Sequence, residues 1–228
     1  MKASSWHFHA DPTEFRTRTR SLFPGLLRPS LVRAPLRFVR STTEILPYLR
    51  RRLTLADADR RARRCPVEAE RSQAALVAYL TRDFPELLAA RALYKWIADE
   101  VAYDWDSYQN PKRRKPQDGE TVFRTRLGVC EGISRLFDSL LKLRSIHSFF
   151  LTGSVKIHGR LEDHAWSGAR IDGVYSLFDV TWGQGGHFEK YFLAEPRDMR
   201  RSHFPADSLW QLLNPPISFE EFKRGKNL

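Results

Sequence analysis

The stretch HAWSGARIDGVYSLFDVTW, residues 164–182, constrains the fold more than any other part of the chain. Strand-type residues flank Asp172-Gly173 on both sides, and a central Asp-Gly pair is the residue choice of a two-residue hairpin turn. With those two at the turn, Ile171 faces Val174 and the register follows outward. Trp166 then stands opposite Asp179, and His164 opposite Thr181. Side chains alternate between faces, so these four share one face. Asp179 becomes the diagonal neighbour of His164, with Cα atoms about 7 Å apart, near enough for the side chains to meet. A four-residue loop with the same centre keeps this relation; a three-residue loop or a bulge destroys it.

The segments before the hairpin read as helices. One is expected over 41–64, capped by Ser41 or Thr42 and ending before Cys65-Pro66. A second is expected over 67–81. A third covers 84–102, where Leu87, Leu88, Ala92, Trp96, Ile97 and Val101 recur at three- and four-residue spacings. QNPKRRKPQDGE, 109–120, reads as a polar surface loop with a cationic run that can reach a partner. From Ile133, the residues Leu136, Phe137, Leu140 and Leu141 complete one apolar stripe, so a helix starts at or just after Cys130. SFFLTGSVKIH, 148–158, has strand composition. Beyond 186 short elements are broken by prolines, with no internal repeat. Helices followed by an antiparallel sheet define an α+β domain and exclude a doubly wound fold, because strands and helices do not alternate.

The chain has 228 residues, 42% of them apolar, which is enough for a real core. Cys65 and Cys130 are its two cysteines, too few for a disulfide framework or a four-cysteine zinc site, and a reducing compartment is the simpler setting. No apolar run reaches the length of a transmembrane helix, and the first residues lack the apolar core of a secretory signal. A cytoplasmic protein is expected. The alternative is organelle targeting through the Arg-rich N-terminus, against which stand Asp11, Glu14 and the prolines Pro24, Pro29 and Pro35. Charge is concentrated: residues 1–64 hold Lys2 and fourteen arginines against five acids, which is +10 of the chain's +11. This basic extension, 1–65, can meet an acidic partner. No aromatic-basic repeat or nucleic-acid module accompanies it, so nucleic acid is not the expected ligand.

Cys130 sits in RLGVCEGISRLF, at the beginning of the striped helix. A helix N-terminus stabilises a thiolate through unpaired N–H groups and the positive end of the macrodipole. The same N–H groups can hold an oxyanion. Gly128 and Gly132 leave room for a carbonyl to approach. Val129 and Glu131 are candidates to supply those donors, with the Glu131 side chain turned to solvent or to a basic partner. A cysteine in this position is more often structural than catalytic, so a base and an orienting group are needed. The hairpin supplies both: Asp179 can fix the tautomer of His164 and favour its protonated ring. Trp166 and Trp182 lie next to the pair. His7 and His9 lack further metal ligands; His158, His187 and His203 read as incidental surface residues, and Cys65 as a spectator. No metal site and no cofactor is expected.

Three blocks, LYKWIADEVAYD, TRLGVCEGISRLFDSLLK and DHAWSGARIDGVYSLFDVTW, together resemble the transglutaminase-like superfamily, whose fold is related to that of papain-type cysteine proteases. The downstream stretch from Tyr191 to Phe222 is similar to the kyphoscoliosis peptidase branch. The resemblance spans about 84–222 and implies an N-terminal set of helices packed on an antiparallel sheet. It places the transglutaminase-like domain at 66–228, with a core of about 84–186. It implies Cys130 as nucleophile, His164 as base, Asp179 as its partner and Tyr103 as a residue of the cleft. Ser167 and Ile133-Ser134 depart from frequent family residues, which bears on substrate preference.

The expected activity is cysteine-dependent acyl transfer on peptide or glutamine-type amides. Hydrolysis is the first choice, and transamidation follows if an amine replaces water. The competing expectation is a non-catalytic scaffold, which commonly lacks one member of the triad.

Overall fold

The computed structural model describes residues 55–225. Ser41, Thr42 and most of the basic extension lie outside these residues. Residues 55–63 are helical (α1) and stop ahead of Cys65-Pro66. Ala58 and Ala62 of α1 are buried in the core.

The single helix expected over 67–81 is divided. A 3-10 turn, Val67–Arg71, precedes α2, Gln73–Thr81. The break falls at Ser72, whose backbone is extended and whose hydroxyl accepts the Ala75 N–H at 3.1 Å. A serine that satisfies a first-turn donor is better used as a cap than inside a helix. Helix α3, Glu86–Glu100, buries Leu88, Ala92, Trp96 and Ile97, in line with the periodicity. The chain then becomes extended. Strand β1, Ala102–Tyr103, is followed by the short helices α4, Trp105–Gln109, and α5, Gly119–Thr125, each N-capped by an aspartate, Asp104 and Asp118. Strand β2, Leu127–Gly128, returns to pair in parallel with β1, setting Tyr103 against Gly128. Elements this short show no period, so the sequence gives them away only through their caps.

Helix α6, Cys130–Leu143, carries the predicted stripe: Ile133, Leu136, Phe137, Leu140 and Leu141 are all fully buried. At about 1.5–3 kcal/mol for each such side chain, this stripe anchors the helix, and with it the position of Cys130. Strands β3, Ser148–Ile157, β4, Arg160–Ile171, and β5, Val174–Phe178, form an antiparallel sheet in the order β5-β4-β3-β6. The edge strand β6 is His203–Pro205. The Ser134 hydroxyl on α6 bonds the Ala165 carbonyl of β4 at 3.1 Å, tying the helix to the strand beside His164.

The hairpin has the expected register, from Ile171 opposite Val174 to Ser167 opposite Phe178. Asp172 and Gly173 both have positive φ, 48° and 85°, as a type I′ turn demands. The ladder ends at the Ser167–Phe178 pair, so the expected pairs of Trp166 with Asp179 and of His164 with Thr181 do not form. Asp179 instead caps a one-turn helix, α7, Val180–Trp182, by accepting the Trp182 N–H at 3.0 Å. Thr181 therefore lies in a helical turn and not opposite His164. No helix among the described residues is long and apolar enough to cross a membrane.

The turn after α7 is packed tightly. A Cβ added to Gly183 would stand 2.0 Å from the Tyr94 hydroxyl oxygen. That hydroxyl donates to the Asp179 carbonyl at 2.8 Å from a fully buried ring. Gly183→Ala is expected to destabilise the protein by about 1–3 kcal/mol through this overpacking, measured as a lower urea midpoint at unchanged m-value.

Candidate active site

Cys130 is the first residue of α6 and is half-buried. Unlike α2, α4 and α5, this helix has no side-chain cap, because Val129 at the N-cap carries no acceptor. The start of the helix is arranged by the neighbouring chain. The Val129 N–H donates to Gln117 Oε1 at 3.0 Å, so Val129 is not a free donor for a substrate carbonyl. The Cys130 N–H is directed at the Tyr103 hydroxyl oxygen, which the β1–β2 pair brings alongside. Burial, followed by the Cys130 charge, pushes the half-buried Tyr103 phenol well above its ordinary value, which keeps it protonated. The Glu131 carboxylate turns outward to Arg114 at 3.0 Å and Arg135 at 3.1 Å, as expected of a residue that must not crowd the sulfur.

His164, on β4, is buried and meets both partners expected of it. Its Nε2–H donates to Asp179 Oδ2 at 2.8 Å, which leaves Nδ1 for the Cys130 thiol, the ring's other hydrogen-bonding neighbour. Burial alone would lower the pKa of this imidazole. The Asp179 carboxylate, by charge and hydrogen bond, and Cys130 after it, outweigh burial and push the value up to about 10. Asp179 is fully buried, and burial works against its charge as well. The adjoining His164 and the hydrogen bonds from two imidazoles prevail and hold it well below the usual carboxylate range. Every polar atom of Asp179 is engaged: its N–H donates to the Tyr191 carbonyl at 3.0 Å, and its carbonyl accepts from Tyr94.

The second imidazole belongs to His203, and the sequence reading missed it. Far from being a surface residue in a loop, His203 is buried in β6, and its Nε2–H donates to the same Asp179 Oδ2 at 3.0 Å. Burial, reinforced by the charge on His164, lowers its pKa despite the opposing pull of Asp179. His203 is thus the neutral ring of the two. Its Nδ1 accepts the Ser202 hydroxyl proton at 2.9 Å, which fixes the tautomer. A three-residue strand offers no alternation to read, and its partner strand β3 lies some fifty residues upstream. The ligating atoms of His164, Asp179 and His203 lie within 4.8 Å of one another and could hold a metal ion. The two short N–H···O contacts to one oxygen are equally well accounted for by protons.

The two tryptophans part company. Trp182 is half-buried beside both rings, 5.4 Å from His164 and 4.5 Å from His203 between centroids. Trp166 is 1% exposed and stacks behind His164 at 6.1 Å, so it backs the histidine instead of lining an open cleft. Cys65 remains apart: burial and then Glu70 push its thiol up to about 11.

Residues 74–180 match the family model of the transglutaminase-like superfamily. Among curated proteins, kyphoscoliosis peptidase from mouse is 30% identical and that from human 31% identical, each over 161 residues. These alignments cover 61% of this chain and 24% of either relative, so the chain spans about a quarter of the length of the curated relatives it matches. A solved structure of a TGase overlaps 64% of this chain and 35% of its own at 16% identity, with a TM-score of 0.39.

Proposed function

We propose that the domain carries out cysteine-dependent acyl transfer on peptide or glutamine-type amides, with Cys130 as nucleophile, His164 as acid–base and Asp179 as the group that orients it. The observation that carries this reading is the hydrogen-bonded line from Cys130 through His164 to Asp179, begun at an uncapped helix N-terminus. The Cys130 sulfur, its proton lodged on His164, adds to the amide carbonyl, forming a C–S bond and an oxyanion at the first turn of α6. An acyl oxygen has to take over the Cys130 N–H from the Tyr103 hydroxyl. Collapse of the intermediate breaks the C–N bond while His164 gives its proton to the leaving amine. His164 then takes a proton from water as it adds, and the C–S bond breaks to release the acid. An amine in place of water gives transamidation from the same acyl-enzyme. Hydrolysis is the reading adopted for the outcome, in a compartment reducing enough to keep the thiol free.

Alkylation provides a test that needs no substrate. Iodoacetamide is expected to modify Cys130 at pH 6 at least about tenfold faster than Cys65, and His164→Ala is expected to erase most of that advantage. The labelled cysteine is mapped by mass spectrometry. Equal and slow labelling of both thiols would leave the non-catalytic scaffold as the better account.

A further inference from the structure

The aromatic residues of α4 stay exposed at a point where the proposed chemistry needs a substrate. Trp105 is 62% exposed and Tyr108 46% exposed, in a domain whose other tryptophans are buried or half-buried. Their rings form one cluster with Tyr103: 4.7 Å from Tyr103 to Trp105, 6.0 Å from Tyr103 to Tyr108, and 5.9 Å between Trp105 and Tyr108. Tyr103 is the residue whose hydroxyl meets the Cys130 N–H. The Tyr108 hydroxyl donates to Glu162 at 2.7 Å, fixing α4 to β4 two residues before His164. The hydrogen bond to Glu162, then burial and the charges on Glu162 and Cys130 raise the Tyr108 phenol, so the sulfur lies within electrostatic reach of this ring too. The cluster therefore borders the nucleophile through Tyr103.

Its rim is cationic. Lys112, Arg113, Arg114 and Lys115 follow α4 directly and are exposed or nearly so. Arg114 is paired with Glu131, whereas Lys112, Arg113 and Lys115 make no ion pair among the described residues. Three carboxylates lie close by: Glu162 accepts from Tyr108, Asp106 from Asn110 at 3.1 Å, and Asp104, which accepts the Ser107 N–H, lies within electrostatic reach of Lys115. An exposed aromatic patch beside a cationic loop has the composition of a binding site, since Trp and Tyr bury much area at low entropic cost.

We propose that Trp105 and Tyr108, together with Lys112, Arg113 and Lys115, dock the acyl-donor polypeptide, selecting a large apolar side chain and a neighbouring acidic residue close to the reacting amide. The inference rests on the assignment of Cys130 as nucleophile, and the test separates the two. The probes are chloroacetyl derivatives, in which the Cys130 sulfur forms a C–S bond as the C–Cl bond breaks and chloride leaves with the bonding electrons. Second-order labelling rates of Cys130 are compared for plain chloroacetamide and for Phe-Glu, Phe-Lys and Gly-Gly dipeptides carrying the chloroacetyl group at either end.

In at least one attachment, Phe-Glu is expected to label about tenfold faster than Gly-Gly and several-fold faster than Phe-Lys. Raising the salt concentration is expected to shrink the second ratio. Trp105→Ala is expected to bring the Phe-Glu to Gly-Gly ratio close to one. Lys112→Glu with Arg113→Glu is expected to invert the Phe-Glu to Phe-Lys ratio. Leu143→Ala, at the far end of α6, serves as the control with unchanged ratios. Cys130 labelled by chloroacetamide but at one common rate by all dipeptides would overturn the docking surface alone. A preference for Phe-Lys in the native protein would overturn its charge selection. No labelling of Cys130 by any probe would remove the nucleophile and the docking surface together.

Discussion

Replacing Cys130 by alanine is expected to lower amide turnover by about 10⁴–10⁶-fold, to the level that binding and backbone donors alone sustain. The sulfur forms the covalent intermediate, and no other thiol can replace it: Cys65 is distant in function and held protonated by its surroundings. The fold should survive. Cys130 is a half-buried first-turn residue, the stripe that anchors α6 begins at Ile133, and alanine is a good helix former. The measurement is release of acid or hydroxamate from a glutamine peptide amide, with and without hydroxylamine as acceptor, beside a thermal melt. A melt within a few degrees of the native one together with undiminished turnover would end the assignment of this residue as nucleophile.

Asp179→Ala is expected to act on both stability and chemistry. Two buried imidazoles would lose their common acceptor, which typically costs about 3–5 kcal/mol for a buried charged pair broken on one side. The cap of α7 would go as well, for about 1 kcal/mol. Turnover should fall by about 10⁴-fold, because His164 would lose both its tautomer and the charge that favours its protonated form. Asp179→Asn, which keeps the shape, separates the two effects through pH. Asp179 titrates below its ordinary value in the folded protein. Its contribution to stability is therefore present above the unfolded carboxylate value near 4 and is lost as the pH falls toward the folded value. His164 titrates above its ordinary value, so its share is complete below about 6.5 and is lost as the pH rises through about 10. Melting temperatures between pH 3 and 7 should consequently fall more steeply on acidification for the native protein than for Asp179→Asn. Parallel curves would show that the buried pair is not the group responsible.

The two wings of the site differed in how far they could be read from the sequence. The His164–Asp179 contact followed from a single Asp-Gly turn, because the alternation of a hairpin propagates register without reference to the rest of the molecule. Even there the ladder stops short of the expected pairs at Asp179 and Thr181: Asp179 ends the strand by capping a helix, and a local pattern does not show which use of an aspartate wins. Cys130 was legible as a helix start from the stripe that follows it. Gln117 was not: it takes the Val129 N–H from a loop twelve residues away, held by nothing periodic.

The sequence alone was enough to define the elements that depend on near neighbours: the buried stripe of α6, the turn at 172–173, and the face shared by His164 and Asp179. Only the tertiary structure put His203 against Asp179, Tyr103 and its aromatic neighbours beside the sulfur, and Trp166 behind the histidine. Those contacts come from packing two- and three-residue strands onto distant partners, where burial and hydrogen bonding across the fold decide the outcome and no window of neighbouring residues carries the signal.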